Sequence, residues 1–197
     1  APGPRRKKEK SSISKKEMLD KIIELAIASG AECMHIEPLK NFEDVAYVID
    51  KGFRTEQFFN DFKTVVTFGR YIYDYNDDIP LEKRNAIHIE RPTTDRMTAG
   101  LMDITRYLDD LGYDAIQDWT YLGISNFDAV RGLDNTGISD KSARNAGWVK
   151  EGKKTYVVSV ICDIDFENET RVLRDWDEPS FPKIDKSSPL LENVEMV

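Results

Sequence analysis

Residues 139–162, SDKSARNAGWVKEGKKTYVVSVIC, contain Gly147-x-x-x-x-Gly152-Lys153, the spacing of a phosphate-binding P-loop. In such a loop the next residue is a Ser or Thr that holds magnesium. Here it is Lys154, and the hydroxyl arrives one place later, at Thr155. The flanks carry more weight than the spacing, because a P-loop runs from a strand into a helix whose first amides meet the phosphates. Ser139 to Ala146 reads as a short helix, with Ser139 as N-cap and Gly147 as the C′ residue. Thr155 to Cys162 is dense in β-branched and aromatic residues and reads as a buried strand. Helix before strand is the wrong order for a nucleoside triphosphate, so a glycine-bearing helix-to-strand connection is expected here.

The rest of the chain repeats this alternation. Ser14 and Glu17 form a capping box, and Met18, Leu19, Ile22, Ile23, Ala26 and Ile27 lie on one helical face up to Gly30. Cys33 to Glu37 reads as a strand closed by Pro38. Cys33, His35 and Glu37 share one of its faces, a trio that could ligate a metal but reads more simply as strand-end residues beside a core. Residues 42–62 suggest a helix and loop, and 63–69, KTVVTFG, a buried strand. The stretch 70–91, with Tyr71, Tyr73 and Tyr75 alternating, is long for a passive connection. A helix from Thr94 or Asp95 carries Met97, Leu101, Ile104, Leu108 and Leu111 on one face and ends at Gly112, before a short strand over 113–117. Helices alternating with buried strands predict an α/β sandwich around one sheet.

The 197 residues suit one domain with tails. The first seventeen carry seven Lys or Arg against two Glu, leaving 21 basic and 34 acidic residues beyond them. A basic flexible arm over 1–17 is expected, and the acidic body argues against a nucleic-acid groove. From Asp163 onward ten acidic residues face four basic ones, with Pro179, Pro182 and Pro189, which predicts a tail that wraps the surface or is partly disordered. No apolar run is long enough to span a bilayer, and no export signal follows Arg5-Arg6. Cys33 and Cys162 stand alone, without a C-x-x-C partner. They exclude an in-chain four-cysteine cluster, and with no disulfide framework they point to a cytoplasmic protein. Histidine occurs only as His35 and His88, and neither G-x-S-x-G nor G-x-G-x-x-G after a strand is present.

The polar, glycine-bearing segment 121–154 is therefore the candidate site. The motif order is 25–31, LAIASGA; 63–69, KTVVTFG; 105–115, TRYLDDLGYDA; Ala146-Gly147 to Gly152-Lys153; and 158–166, VSVICDIDF. Over roughly residues 18–170 it resembles the cobalamin-binding half of reductive dehalogenases and epoxyqueuosine reductases. The resemblance implies a nitroreductase-like three-layer sandwich around one mixed sheet, classed α/β (α+β); residues 171–197, beyond it, read by composition as an acidic tail. It also implies a corrin ring against the A-G-L-G-x-x-G-like segment. Val149 stands there in place of a glycine and Trp148 in place of a leucine.

By the same resemblance, Thr136, Gly137, Gly147, Trp148, Gly152 and Lys153 are the cofactor-side residues. Asp134, in the Leu133-Asp-Asn-Thr-Gly137 segment ahead of the helix, is the proton donor, and Tyr121 is a second candidate. For each of these two an ordinary role, a turn cap or aromatic packing, is the competing reading. The expected function is a corrinoid-binding oxidoreductase that acts on a small molecule. It would draw electrons from a separate donor, since cluster cysteines are lacking. FMN is the alternative cofactor, with Lys150 to Lys154, or Lys15, Lys16 and Lys21, as phosphate partners. A non-catalytic interaction module is the third reading.

Overall fold

The computed structural model describes residues 8–44, 59–72, 90–122, 137–148 and 154–174. Their order is α1 (Lys15–Ala28), β1 (Cys33–Pro38), a 3-10 turn (Leu39–Phe42), β2 (Thr64–Ile72), α2 (Glu90–Asp110), β3 (Ala115–Leu122), α3 (Ile138–Asn145), β4 (Lys154–Cys162) and β5 (Glu169–Val172). The expected alternation of helix and strand is present. The sheet differs from expectation: among the described residues all five strands are antiparallel to their neighbours, in the order β3-β4-β2-β1-β5, and none is parallel as a mixed sheet would require. The fifth strand comes from the acidic region after Asp163, where a surface tail was expected. Its partner is β1, with Cys33 opposite Val172 and Ile36 opposite Glu169.

The period-2 alternation of the strands gives the sheet two unlike faces. On one, Met34, Ile36, Val66, Phe68, Val158, Val160 and Cys162 meet Met18, Ile22 and Ala26 of α1 and Met97, Leu101, Ile104 and Leu108 of α2. Burial of such side chains contributes roughly 1.5–3 kcal/mol each and supplies most of the cohesion. The two helices cross closely because Gly100 has no side chain, and a Cβ there would collide with Ser29. The tyrosine in this core is satisfied, its hydroxyl lying 2.7 Å from Thr98 Oγ1. α3 packs on the opposite face, which makes three layers.

Each of these helices stops at the glycine the sequence nominates. Gly30, Gly112 and Gly147 have φ of 99°, 85° and 76°. The amide of the residue after each returns to the helix: Ala31 to Ala26 O, Tyr113 to Leu108 O and Trp148 to Ala143 O. This is the Schellman closure. The starts are less regular. The capping box at Ser14 forms as expected. α2 begins at Glu90, earlier than the Thr94 or Asp95 start, because Pro92 is tolerated within a first turn where its missing N–H has no partner to lose. β3 runs on to Leu122, past the expected Gln117.

The arm from Lys8 is hydrogen-bonded to the body. Ser11 N donates to Leu111 O at 2.8 Å, and Lys10 Nζ reaches Asp163 Oδ2 at 2.7 Å while lying 4.9 Å from the centre of the Tyr113 ring. Among the described residues no helix is long and apolar enough to cross a membrane.

Ser139 is not the N-cap of α3. That position belongs to Gly137, at φ 77°, which has no side chain to cap with. The acceptor comes instead from the neighbouring strand, since Ser139 N donates to Asp118 Oδ2 at 2.9 Å. A carboxylate near a helix N-terminus both satisfies an orphan amide and opposes the positive end of the dipole. Asp118→Ala should therefore lower stability by about 1–2 kcal/mol, the cost of losing a good cap. Urea unfolding checks this, and an unchanged midpoint would refute the capping role.

Candidate functional site

The face under α3 carries a polar row that crosses the whole sheet. Register places Thr170, His35, Thr67, Ser159 and Asp118 side by side on β5, β1, β2, β4 and β3. Thr67 and Ser159 are completely buried, and a buried hydroxyl without a partner costs about 1–3 kcal/mol. α3 supplies what they need. Thr67 Oγ1 lies 2.7 Å from Ser142 Oγ and 2.9 Å from Ser159 Oγ, and Ser139 Oγ donates to Ser159 Oγ at 2.8 Å.

At the other end of α3, Asn145 Nδ2 donates to Glu37 Oε1 at 3.0 Å and Oε2 at 3.2 Å. Asn41 Nδ2 donates to the same carboxylate at 3.1 Å, and His35 Nε2 lies 3.3 Å from Oε1. The other His35 nitrogen sits 2.7 Å from Thr170 Oγ1. Burial works against the Glu37 charge, but the His35, Asn145 and Asn41 partners outweigh it and hold the carboxyl below its usual range.

Trp148 follows the Gly147 turn and folds onto the sheet. Its ring packs with Cys33, Ala143 and Val157 and lies edge-on to His35, with centroids 6.4 Å apart. Gly69 makes room for it, since a Cβ there would sit 2.9 Å from the indole. Trp148 is 6% exposed and packs toward the sheet. Gly147 differs, because no atom of the described residues lies within 4 Å of where a Cβ would sit there.

The Cys33, His35 and Glu37 trio does not converge as a metal site. The Cys33 thiol donates to Gly69 O at 3.4 Å, and burial pushes its pKa well up. Cys162 is likewise raised by burial, to about 12. Among the described residues no group of His, Cys, Asp or Glu is placed to hold a metal ion.

Of the nominated site residues, Gly137, Gly147 and Trp148 stand at the two ends of α3. Tyr121 lies in β3 with its backbone opposite Tyr156 of β4. Asp134, Thr136, Gly152 and Lys153 lie outside the described residues. The lysines considered for a flavin phosphate on the first helix are engaged locally: Lys15 with Asp165 O, Lys16 with Asp20 and Lys21 with Glu24.

Sequence reasoning passed over Asp118, the Glu37 and Asn145 pair, and the hydroxyl row. Their signal was available as Thr67 and Ser159, polar residues at core positions of strands otherwise read as apolar. No family model, curated protein or solved structure matches the chain.

A carboxylate whose folded pKa is depressed adds stability above its unfolded pKa of about 4.3, and that stability is lost as pH falls through the folded value. Glu37→Gln should thus be less stable than the parent near neutrality, with the gap narrowing below about pH 4. Urea midpoints at pH 6 and pH 3 check this. A gap of constant size would show that the charge on Glu37 contributes nothing.

Proposed function

We propose that the chain is a corrinoid-binding, oxidoreductase-like domain of nitroreductase-like plan that acts on a small molecule with electrons from a separate partner protein. The observation that carries this reading is the ordered resemblance over residues 18–170. The helix–Gly147–strand connection and the layering of helices on both faces of one sheet support it. Among the described residues nothing lies within 4 Å of where a Cβ at Gly147 would sit, which suits the approach of a flat macrocycle. Cobalamin, when bound, supplies the cobalt that passes electrons to the substrate.

The chain's own parts are these. Thr136, Gly137, Gly147, Gly152 and Lys153 would hold the ring, and Trp148, packed on the sheet, would brace the turn. Asp134 holds the proton delivered to the substrate, with Tyr121 as the second donor. Cys33 and Cys162, the two cysteines of these residues, cannot form a four-cysteine cluster, so the electrons would come from outside this domain. FMN is less well served, since the α1 lysines already have partners.

Mixing the purified protein with hydroxocobalamin, desalting it and recording the visible spectrum tests the reading. Retained corrinoid with a shifted spectrum is expected. A flavin spectrum in the protein as purified, or no retained cofactor at all, would sink it in favour of the FMN or non-catalytic readings. With a chemical reductant and a halogenated or epoxide test substrate, Asp134→Asn should lose about 10²–10⁴ in turnover, the usual worth of a general acid. It should keep its circular dichroism and its corrinoid. Unchanged turnover would assign Asp134 to a turn cap.

A further inference from the structure

β5 stands at one edge of the sheet, and among the described residues β1 is the strand that pairs with it. Leu173 N donates to Glu32 O at 2.8 Å, one step past the pairing of Cys33 with Val172. Hydrogen-bonded and non-hydrogen-bonded pairs alternate along an antiparallel ladder, so Arg171 and Glu169 also bond β1, while Thr170 and Val172 direct their amides and carbonyls away from it. Side chains alternate as well. Thr170 and Val172 share the α3 face with His35 and Cys33, and Glu169 and Arg171 share the α1 and α2 face with Ile36 and Met34.

An outward row of backbone donors and acceptors is a template for another strand. Charged side chains, lysine above all, are a common guard, because like charges repel a second copy of themselves. β5 carries the opposite arrangement. It reads Glu169-Thr-Arg-Val172, with unlike charges two residues apart on one face, where Arg171 Nε pairs with Glu169 Oε1. Thr170, Arg171 and Val172 are exposed, and Val172, at 65%, is the most exposed large apolar side chain among the described residues.

We propose that β5 is the contact of a two-fold homodimer, in which the β5 strands of two copies pair antiparallel with Thr170 opposite the partner's Thr170. Symmetry leaves few registers to choose from. Centring the pair on Glu169 or on Arg171 would set like charges face to face, and centring it on Val172 would set Arg171 opposite the partner's Leu173. Centring on Thr170 sets Glu169 opposite the partner's Arg171 and Arg171 opposite the partner's Glu169, two ion pairs on one face. The same register makes Thr170 a hydrogen-bonded pair through its outward amide and carbonyl, and on the other face it covers Val172, diagonal to the partner's Thr170. A strand of unrelated sequence would meet the backbone alone, whereas a second copy also meets both charges. This contact is independent of the corrinoid reading, because association is measured without a cofactor and either result can fail alone.

Sedimentation of the full chain over a range of concentrations is the test. A monomer–dimer equilibrium that weakens with added salt is expected. Thr170→Pro removes an outward amide that β1 does not use, so it should keep the fold and weaken association about tenfold or more. Glu169→Arg and Arg171→Glu should each weaken it about as much, since each sets like charges opposite one another. Mixed in equal amounts, these two charge variants should associate again, because each altered strand complements the other and not itself. Circular dichroism checks that each variant is folded. A single chain at every concentration would overturn the proposal. So would parent affinity in the folded variants, or a mixed sample no more associated than its two components.

Discussion

Thr67 sits at the centre of the sheet, completely buried, with its hydroxyl turned to the face that α1 and α2 do not cover. That one group constrains much of what lies above it. Its hydroxyl needs both a donor and an acceptor, and the neighbouring strand supplies only Ser159, which has the same need. The remaining partners must come from the layer above. α3 therefore presents Ser139 and Ser142 at i and i+3, on one side of a helix, where one bonds Ser159 and the other Thr67. A leucine at either position would strand a hydroxyl that now has a partner.

The consequence is a helix held differently from its two companions. α1 and α2 are amphipathic and dock by apolar area, which resists separation but discriminates weakly among small sliding displacements. α3 has only eight residues, too few to be stable alone, and Ile138 and Ala143 are its buried apolar side chains. Hydrogen bonds fix its position instead: Asp118 at the first turn, the hydroxyls in the middle, and Glu37 through Asn145 at the last. Such bonds are directional and short-ranged, so α3 has one good seat on the sheet. Gly137 and Trp148, the points where the two nominated site segments join the described body, are the ends of this pinned element. Polar pinning fixes those ends more closely than apolar docking would.

The parts of this arrangement that were legible in the sequence are those governed by local rules. The capping box at Ser14, the terminating glycines and the apolar stripe of α2 each depend on residues within a few positions, and each appears in the fold. The antiparallel order of the sheet was not legible, because strand direction depends on how connections pass over the sheet and not on any strand's own composition. The cap of α3 was misassigned to Ser139 for a related reason. A local rule looks for a side chain at the helix start, whereas the acceptor is Asp118, twenty-one positions earlier in the chain and adjacent only once β3 and β4 pair. Glu37 was noticed as a member of a metal-like trio, but its partners Asn41 and Asn145 come from two other elements. The site residues Asp134, Thr136, Gly152 and Lys153 were named from resemblance and lie outside the described residues, so the structure describes only the helix to which their segments connect.

The chain is acidic overall, at −8, and yet it concentrates arginine where a helix ends on carbonyls. The two facts are compatible because the arginines serve the fold: Arg70, Arg96 and Arg174 each donate to a carbonyl at the end of α1. The arginines sit on the α1 and α2 side of the sheet, separate from the polar row under α3. One sheet thus separates two kinds of polar work, hydroxyls and carboxylates that seat α3 on one face and guanidiniums that close the end of α1 on the other.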